Sequence, residues 1–133
     1  MALTKEEIDF LQCLCDSVLN TAKTVRFAGV VDDTGRLIVG KYRPDIKTPL
    51  VKANICTDEP KATSFYSAYK ILALHMRFRS DLGQMHFQLT EFDKVTLISI
   101  PLNVHNNRCL CISIDGRAQY EEIVKIMNAV GYN

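Results

Sequence analysis

Val25-Arg26-Phe27-Ala28-Gly29-Val30-Val31 is apolar and β-branched, Leu37-Ile38-Val39-Gly40-Lys41 resembles it, and Asp32-Asp33-Thr34-Gly35 lies between them. Aspartate and glycine supply the tight turn and the left-handed backbone that a hairpin needs. Strands joined this closely run antiparallel, so the first sheet pairing follows from this stretch alone. Arg26 is a charge inside an otherwise apolar strand, where it needs solvent or a partner.

On the N-terminal side, Thr4-Lys5-Glu6-Glu7 is a capping box. The Thr4 hydroxyl can accept from the Glu7 amide, and Glu7 can reach back to the cap. Ile8, Leu11, Leu14, Cys15 and Val18 follow at helical spacing, with Asp9, Gln12 and Asp16 on the opposite side. This pattern predicts a surface helix to about Thr21.

On the C-terminal side the pattern dissolves from Tyr42 to about Lys61, interrupted by Pro44, Pro49 and Pro60. A loop of that length inside one domain is functional, flexible, or hides a short element. Asp58-Glu59-Pro60 reads as the start of a middle helix from about Ala62 to Arg79. Phe65, Tyr69, Leu72 and Met76 form one apolar stripe; Ile71, Leu74 and Phe78 form a second, nearly opposite. Two stripes imply burial on both sides. Met85, Phe87 and Leu89 then alternate with His86, Gln88 and Thr90, as in a half-buried strand. Val95 to Leu102 is apolar on both faces, which suits a central strand, and Cys109 to Ile114 follows after a turn. Asp115-Gly116 is the expected cap of a last helix through Tyr120, Ile123, Val124, Met127 and Val130, ended by Gly131.

The expected class is therefore α/β in the α+β sense, in the order α-β-β-α-β-β-β-α, as a single domain over residues 1–133. At 133 residues one core suffices without metals or disulfides. Apolar residues make up 47%, charged residues 23%, and the net charge is +1. These values exclude a disordered chain and a global field for nucleic acid or anionic membrane. Five cysteines, an odd number, argue against a secreted disulfide framework. With no signal-peptide pattern and no apolar run near ~18 residues, a cytoplasmic location with no membrane contact is expected.

This element order and length resemble the roadblock/LC7 family, within the profilin-like and longin-like group. At residue level the chain looks closer to an uncharacterised archaeal family of that fold, through Val25–Val31 with Gly35-Arg36-Leu37, Gly40-Lys41-Tyr42-Arg43, Met76-Arg77 and Ile100-Pro101-Leu102. The resemblance implies a single antiparallel five-stranded sheet flanked by three helices, the first and last on one face and the middle one on the other. It also implies a homodimer through the middle helix and the neighbouring edge strand, serving as a scaffold or as a platform for a small GTPase. Carried onto this chain, that interface is Phe65, Tyr69, Leu72 and Met76, or the opposite stripe, together with Met85, Phe87 and Leu89. The loop over 42–61 is longer than such domains usually need, which departs from the pattern.

Catalytic signatures are missing from the sequence. Neither GxxxxGK[ST] nor GxGxxG occurs, and no elbow or triad spacing marks a nucleophile near His75, His86 or His105. A non-enzyme without cofactor is the expectation. Cys109-x-Cys111 places two thiols on one face of a strand, which suits small core residues better than the turns that hold structural zinc. Arg26, Lys41 and Arg43 at the first hairpin, with Arg77 and Arg79 ending the middle helix, are candidates to meet an anion or acidic partner. That leaves an alternative: a small-molecule or anion sensor with the 42–61 loop as its lid.

Overall fold

The computed structural model describes residues 3–32, 36–46, 80–103 and 108–131. The middle helix expected over about 62–79, with Phe65, Tyr69, Leu72, Met76, Arg77 and Arg79, lies outside the described residues, as does the loop beyond Ile46.

Helix α1 (Lys5–Leu19) starts at its capping box. The Glu7 amide donates to Thr4 Oγ1 at 3.1 Å, and the Thr4 amide donates to Glu7 Oε1 at 3.4 Å. Leu11, Cys15, Val18 and Leu19 form its buried face. Strands β1 (Val25–Val31) and β2 (Leu37–Tyr42) make the expected hairpin, with Val30 opposite Val39 and a bulge before Val31. Strands β3 (Gln88–Glu91), β4 (Val95–Asn103) and β5 (Arg108–Asp115) complete an antiparallel sheet of five strands in the order β2-β1-β5-β4-β3. Helix α2 (Tyr120–Val130) ends at Gly131 in the left-handed conformation, φ 95°, as the C-terminal glycine predicts. The architecture is α+β, as expected.

The register sorts the core onto two faces. Ala28, Val30, Ile98, Ile100, Leu110, Ile112 and Ile114 point to one side and bury against Leu11, Val18 and Ile126 of α1 and α2. Phe27, Val31, Cys109 and Cys111 point to the other, packed with Leu37, Tyr42 and Leu97. Strand β5 is buried on both faces along nearly its whole length, because it lies between β1 and β4 at the sheet centre.

Gly29 and Gly40 sit opposite each other on β1 and β2. A Cβ on Gly29 would come within 2.6 Å of the Phe27 ring, and one on Gly40 within 2.7 Å. The two glycines form a floor on which that ring lies, stacked obliquely against Tyr42 with centroids 4.5 Å apart.

Three expectations are corrected. The alternation Met85 to Leu89 is not itself the strand: pairing begins at Gln88, opposite Ser99, and runs to Glu91. Continuing that register upstream would set His86 opposite Pro101, which has no amide hydrogen to donate to a ladder. Asp115-Gly116 does not cap the last helix. Asp115 closes β5, Gly116 turns at φ 61°, and Gln119 is the cap, its amide donating to Glu122 Oε1 at 3.1 Å. Buried Thr96 holds the intervening turn: its hydroxyl donates to the Gly116 carbonyl at 2.8 Å and accepts from the Ala118 amide at 3.2 Å. Finally, Tyr120 and Val124 do not join the buried stripe of α2. They are 77% and 38% exposed, and Ile126 enters the core instead. No helix among the described residues is long and apolar enough to cross a membrane.

Candidate interaction surface

Strand β3 is a sheet edge, hydrogen-bonded only to β4 among the described residues. An edge strand presents unpaired backbone groups that can template another chain. Leu89 lies opposite Ile98 and so points to the helix-bearing side, yet it is 37% exposed. The reason is the placement of the helical layer, in which α1 packs on β1 and β2 at the far side of the sheet. Phe87, just before the strand, is 43% exposed, and Phe92, just after it, is 52% exposed. Of the expected interface residues, Met85 is half-buried and Phe87 and Leu89 are exposed.

The hairpin cations occupy two different places. Arg26 Nη1 donates to Asp115 Oδ1 at 2.8 Å, and Arg43 Nη1 donates to Asp115 Oδ2 at 2.9 Å. Arg43 also grips Asp45 through Nε at 2.5 Å and Nη2 at 3.1 Å, and Nη1 reaches the Lys23 carbonyl at 2.5 Å. Burial pushes the Asp115 carboxyl up, but hydrogen bonds from Arg26 and Arg43 outweigh it and hold the group below the usual carboxylate range. The Arg43 hydrogen bonds likewise hold Asp45 low. Lys41 stands apart, 3.5 Å from Asp16 on α1, with both side chains more than half exposed. Arg26 and Arg43 therefore converge, on the chain's own acids.

The sequence missed Asp115 and Asp45 as members of this group. One signal was present: an arginine inside an apolar strand requires a carboxylate nearby, and β5, which ends at Asp115, is the strand paired with β1. Next to the cluster, Asn20, Thr21, Lys23, Arg43, Asp45 and Asp115 line an open cleft of about 720 Å³. Cys109 and Cys111 are fully buried beside Phe27 and Val31, and Cys13 alone of the four described cysteines is exposed. Burial pushes the Cys15 thiol up to about 12. No group of three or more potential metal ligands occurs among the described residues.

No model of a known protein family matches this sequence, and no curated protein matches it. Solved structures do match in fold. The gliding protein MglB from Thermus thermophilus superposes with a TM-score of 0.73 at 13% identity, covering 98% of this chain and 90% of that one. Myxococcus xanthus MglB gives 0.68 at 18% identity, covering 98% and 89%. A roadblock/LC7 domain from Streptomyces avermitilis gives 0.64 at 11% identity, covering 90% and 91%. Together with the strand order and the helix placement, these likenesses show that the chain has the roadblock/LC7-like fold.

Proposed function

We propose that this chain is a non-catalytic module that pairs with a second copy of itself and docks a protein partner, a small GTPase being the first candidate. The observation that carries the reading is the apolar edge: β3 has an open side among the described residues, and Phe87, Leu89 and Phe92 are exposed beside it. A monomer protects such an edge with charge, proline or a covering element; among the described residues this edge carries one charge, Glu91, and three exposed apolar side chains stand on or beside it. Support from the fold relatives is consistent, since one MglB structure has a tetrameric arrangement. In this reading the middle segment contributes Phe65, Tyr69, Leu72 and Met76 to the same contact, and the protein works in the cytoplasm as a scaffold.

Light scattering at micromolar concentration tests the pairing. A mass of twice 15.0 kDa is expected, falling to the single-chain value in Leu89→Lys, which sets a charge on the edge. A monomeric wild-type protein would overturn the reading. The rival sensor reading draws on the 720 Å³ cleft beside Arg43. It is weakened because the acids of the chain already neutralise Arg26 and Arg43.

A further inference from the structure

The two edges of the sheet are built differently. Strand β2 forms the edge opposite β3. It pairs with β1 through a register shift, Val30 facing Val39 and Val31 facing Leu37, which leaves Ile38 as an extra residue on the edge strand itself. A bulge there bends the strand and offsets the outward backbone groups that a straight partner would have to match. Lys41 follows, its side chain 59% exposed and its ammonium 3.5 Å from Asp16 of α1. Pro44 stands two residues past the end of the strand. Strand β3 has the opposite make-up. Its register against β4 runs without a shift from Gln88 to Glu91. It contains no proline, and its one charge, Glu91, lies 3.8 Å from Arg117.

Helix α1 adds a second difference. Gln12 and Asp16 share a hollow of about 270 Å³ with Cys15, Val39, Gly40 and Lys41, so the flank of α1 turned toward β2 is polar and charged. Asp9, also exposed, falls on that same flank by helical spacing. A strand approaching β2 would have to break the Asp16–Lys41 pair or enclose it beside its own backbone, and taking an ion pair out of water is costly. At β3 it is exposed Leu89 that faces the helix-bearing side. Charge, bulges and proline each keep a sheet edge from pairing. Strand β2 and its exit have all three, whereas β3 has one charge.

We propose that the β2 edge is closed to strand pairing, and that this closure decides the size of the assembly. Pairing of β3 with the β2 strand of another copy would be head-to-tail and would run on as a filament. With β2 closed, the β3 strand of one copy can meet only the β3 strand of another, in a two-fold contact that ends at two. The size limit rests on the β3 reading above; the closure of β2 does not.

The test places Lys41→Val and Asp16→Ala together on the full chain, with β3 either intact or blocked by Leu89→Lys. Both replaced side chains are more than half exposed, so circular dichroism like that of the wild type is expected. With β3 blocked, the parent is expected as a single chain of 15.0 kDa. The opened β2 edge should double that mass in light scattering at micromolar concentration. Amides of β2 that exchange quickly in the parent should become protected, since strand pairing occupies them. With β3 intact, the opened protein should grow with concentration past two copies, while the wild type stops at two. Lys41→Arg keeps the charge and should behave as Lys41 does in both backgrounds. Opened proteins that keep the masses of their parents, a gain of mass without protection of β2, or a wild type that grows past two copies would each overturn the proposal. A single-chain wild type would sink the β3 reading and the size limit with it. The opened, blocked variant would then still decide the β2 edge.

Discussion

Replacement of Asp115 by asparagine isolates the ion cluster that ties three separate parts of the chain together. The carboxylate takes one charge-assisted hydrogen bond from Arg26 and one from Arg43, at 2.8 and 2.9 Å. Each such bond contributes about 1.5–3 kcal/mol when well enclosed. Two corrections reduce the sum. The Asp115 side chain is 37% exposed, so solvent screens the pairs, and Arg43 keeps Asp45 when Asp115 is lost. Arg26, only 14% exposed, pairs directly with no other acid among the described residues and bears most of the effect. A net loss of about 1–2 kcal/mol follows, or roughly 3–10 °C in Tm for a chain of this size. The pH dependence has a definite sign. Folding holds the Asp115 carboxyl below its ordinary value, so the unfolded chain binds more protons in acid. The stabilisation is complete above about pH 5 and is lost as the pH falls through the ordinary aspartate value towards the lower folded-state one. Thermal unfolding of both proteins from pH 7 to pH 2 should show a gap that narrows on the acid side. A gap that stays constant with pH, or an Asp115→Asn protein as stable as wild type at pH 7, would refute the electrostatic account.

Gly29→Ala and Gly40→Ala should each destabilise by about 1–3 kcal/mol through overpacking, measured by urea unfolding, since each new methyl meets the Phe27 ring. A second change, Phe27→Leu, should make either alanine less costly. Thr4→Ala should lose about 1 kcal/mol by removing the helix cap, with faster amide exchange confined to the first turn of α1. In a Cys56→Ser background, one thiol should react rapidly with a disulfide reagent at pH 8, that of exposed Cys13. Cys15, Cys109 and Cys111 should react only on unfolding.

Much of the fold was legible because its signals are local. The pairing of β1 with β2, the capping box at Thr4 and the left-handed glycine at the end of α2 each depend on a few nearby residues. The two-sided apolar character of Val95 to Leu102 marked an interior strand, and β4 is one. Legibility failed where distant residues decide. Whether Leu89 is covered depends on where α1 packs. Where β3 begins depends on Pro101 across the ladder. The start of α2 depends on Thr96, a buried hydroxyl more than twenty positions upstream. The candidate site behaved the same way: an arginine in an apolar strand asked for a partner, while its identity as Asp115 emerged only from the pairing of β1 with β5.

That pairing also dictates how the chain comes to be built. The middle of the sheet joins Val30 to Leu110 and Val25 to Ile114, so its central ladder unites the first of the described strands with the last. During synthesis the opening hairpin emerges early, but its second edge stays open until β5 has left the ribosome. Loop closure over so long a span is slow compared with local pairing. Between the synthesis of Val31 and that of Arg108 the nascent polypeptide thus carries an unsealed apolar strand, and β5 is what seals it.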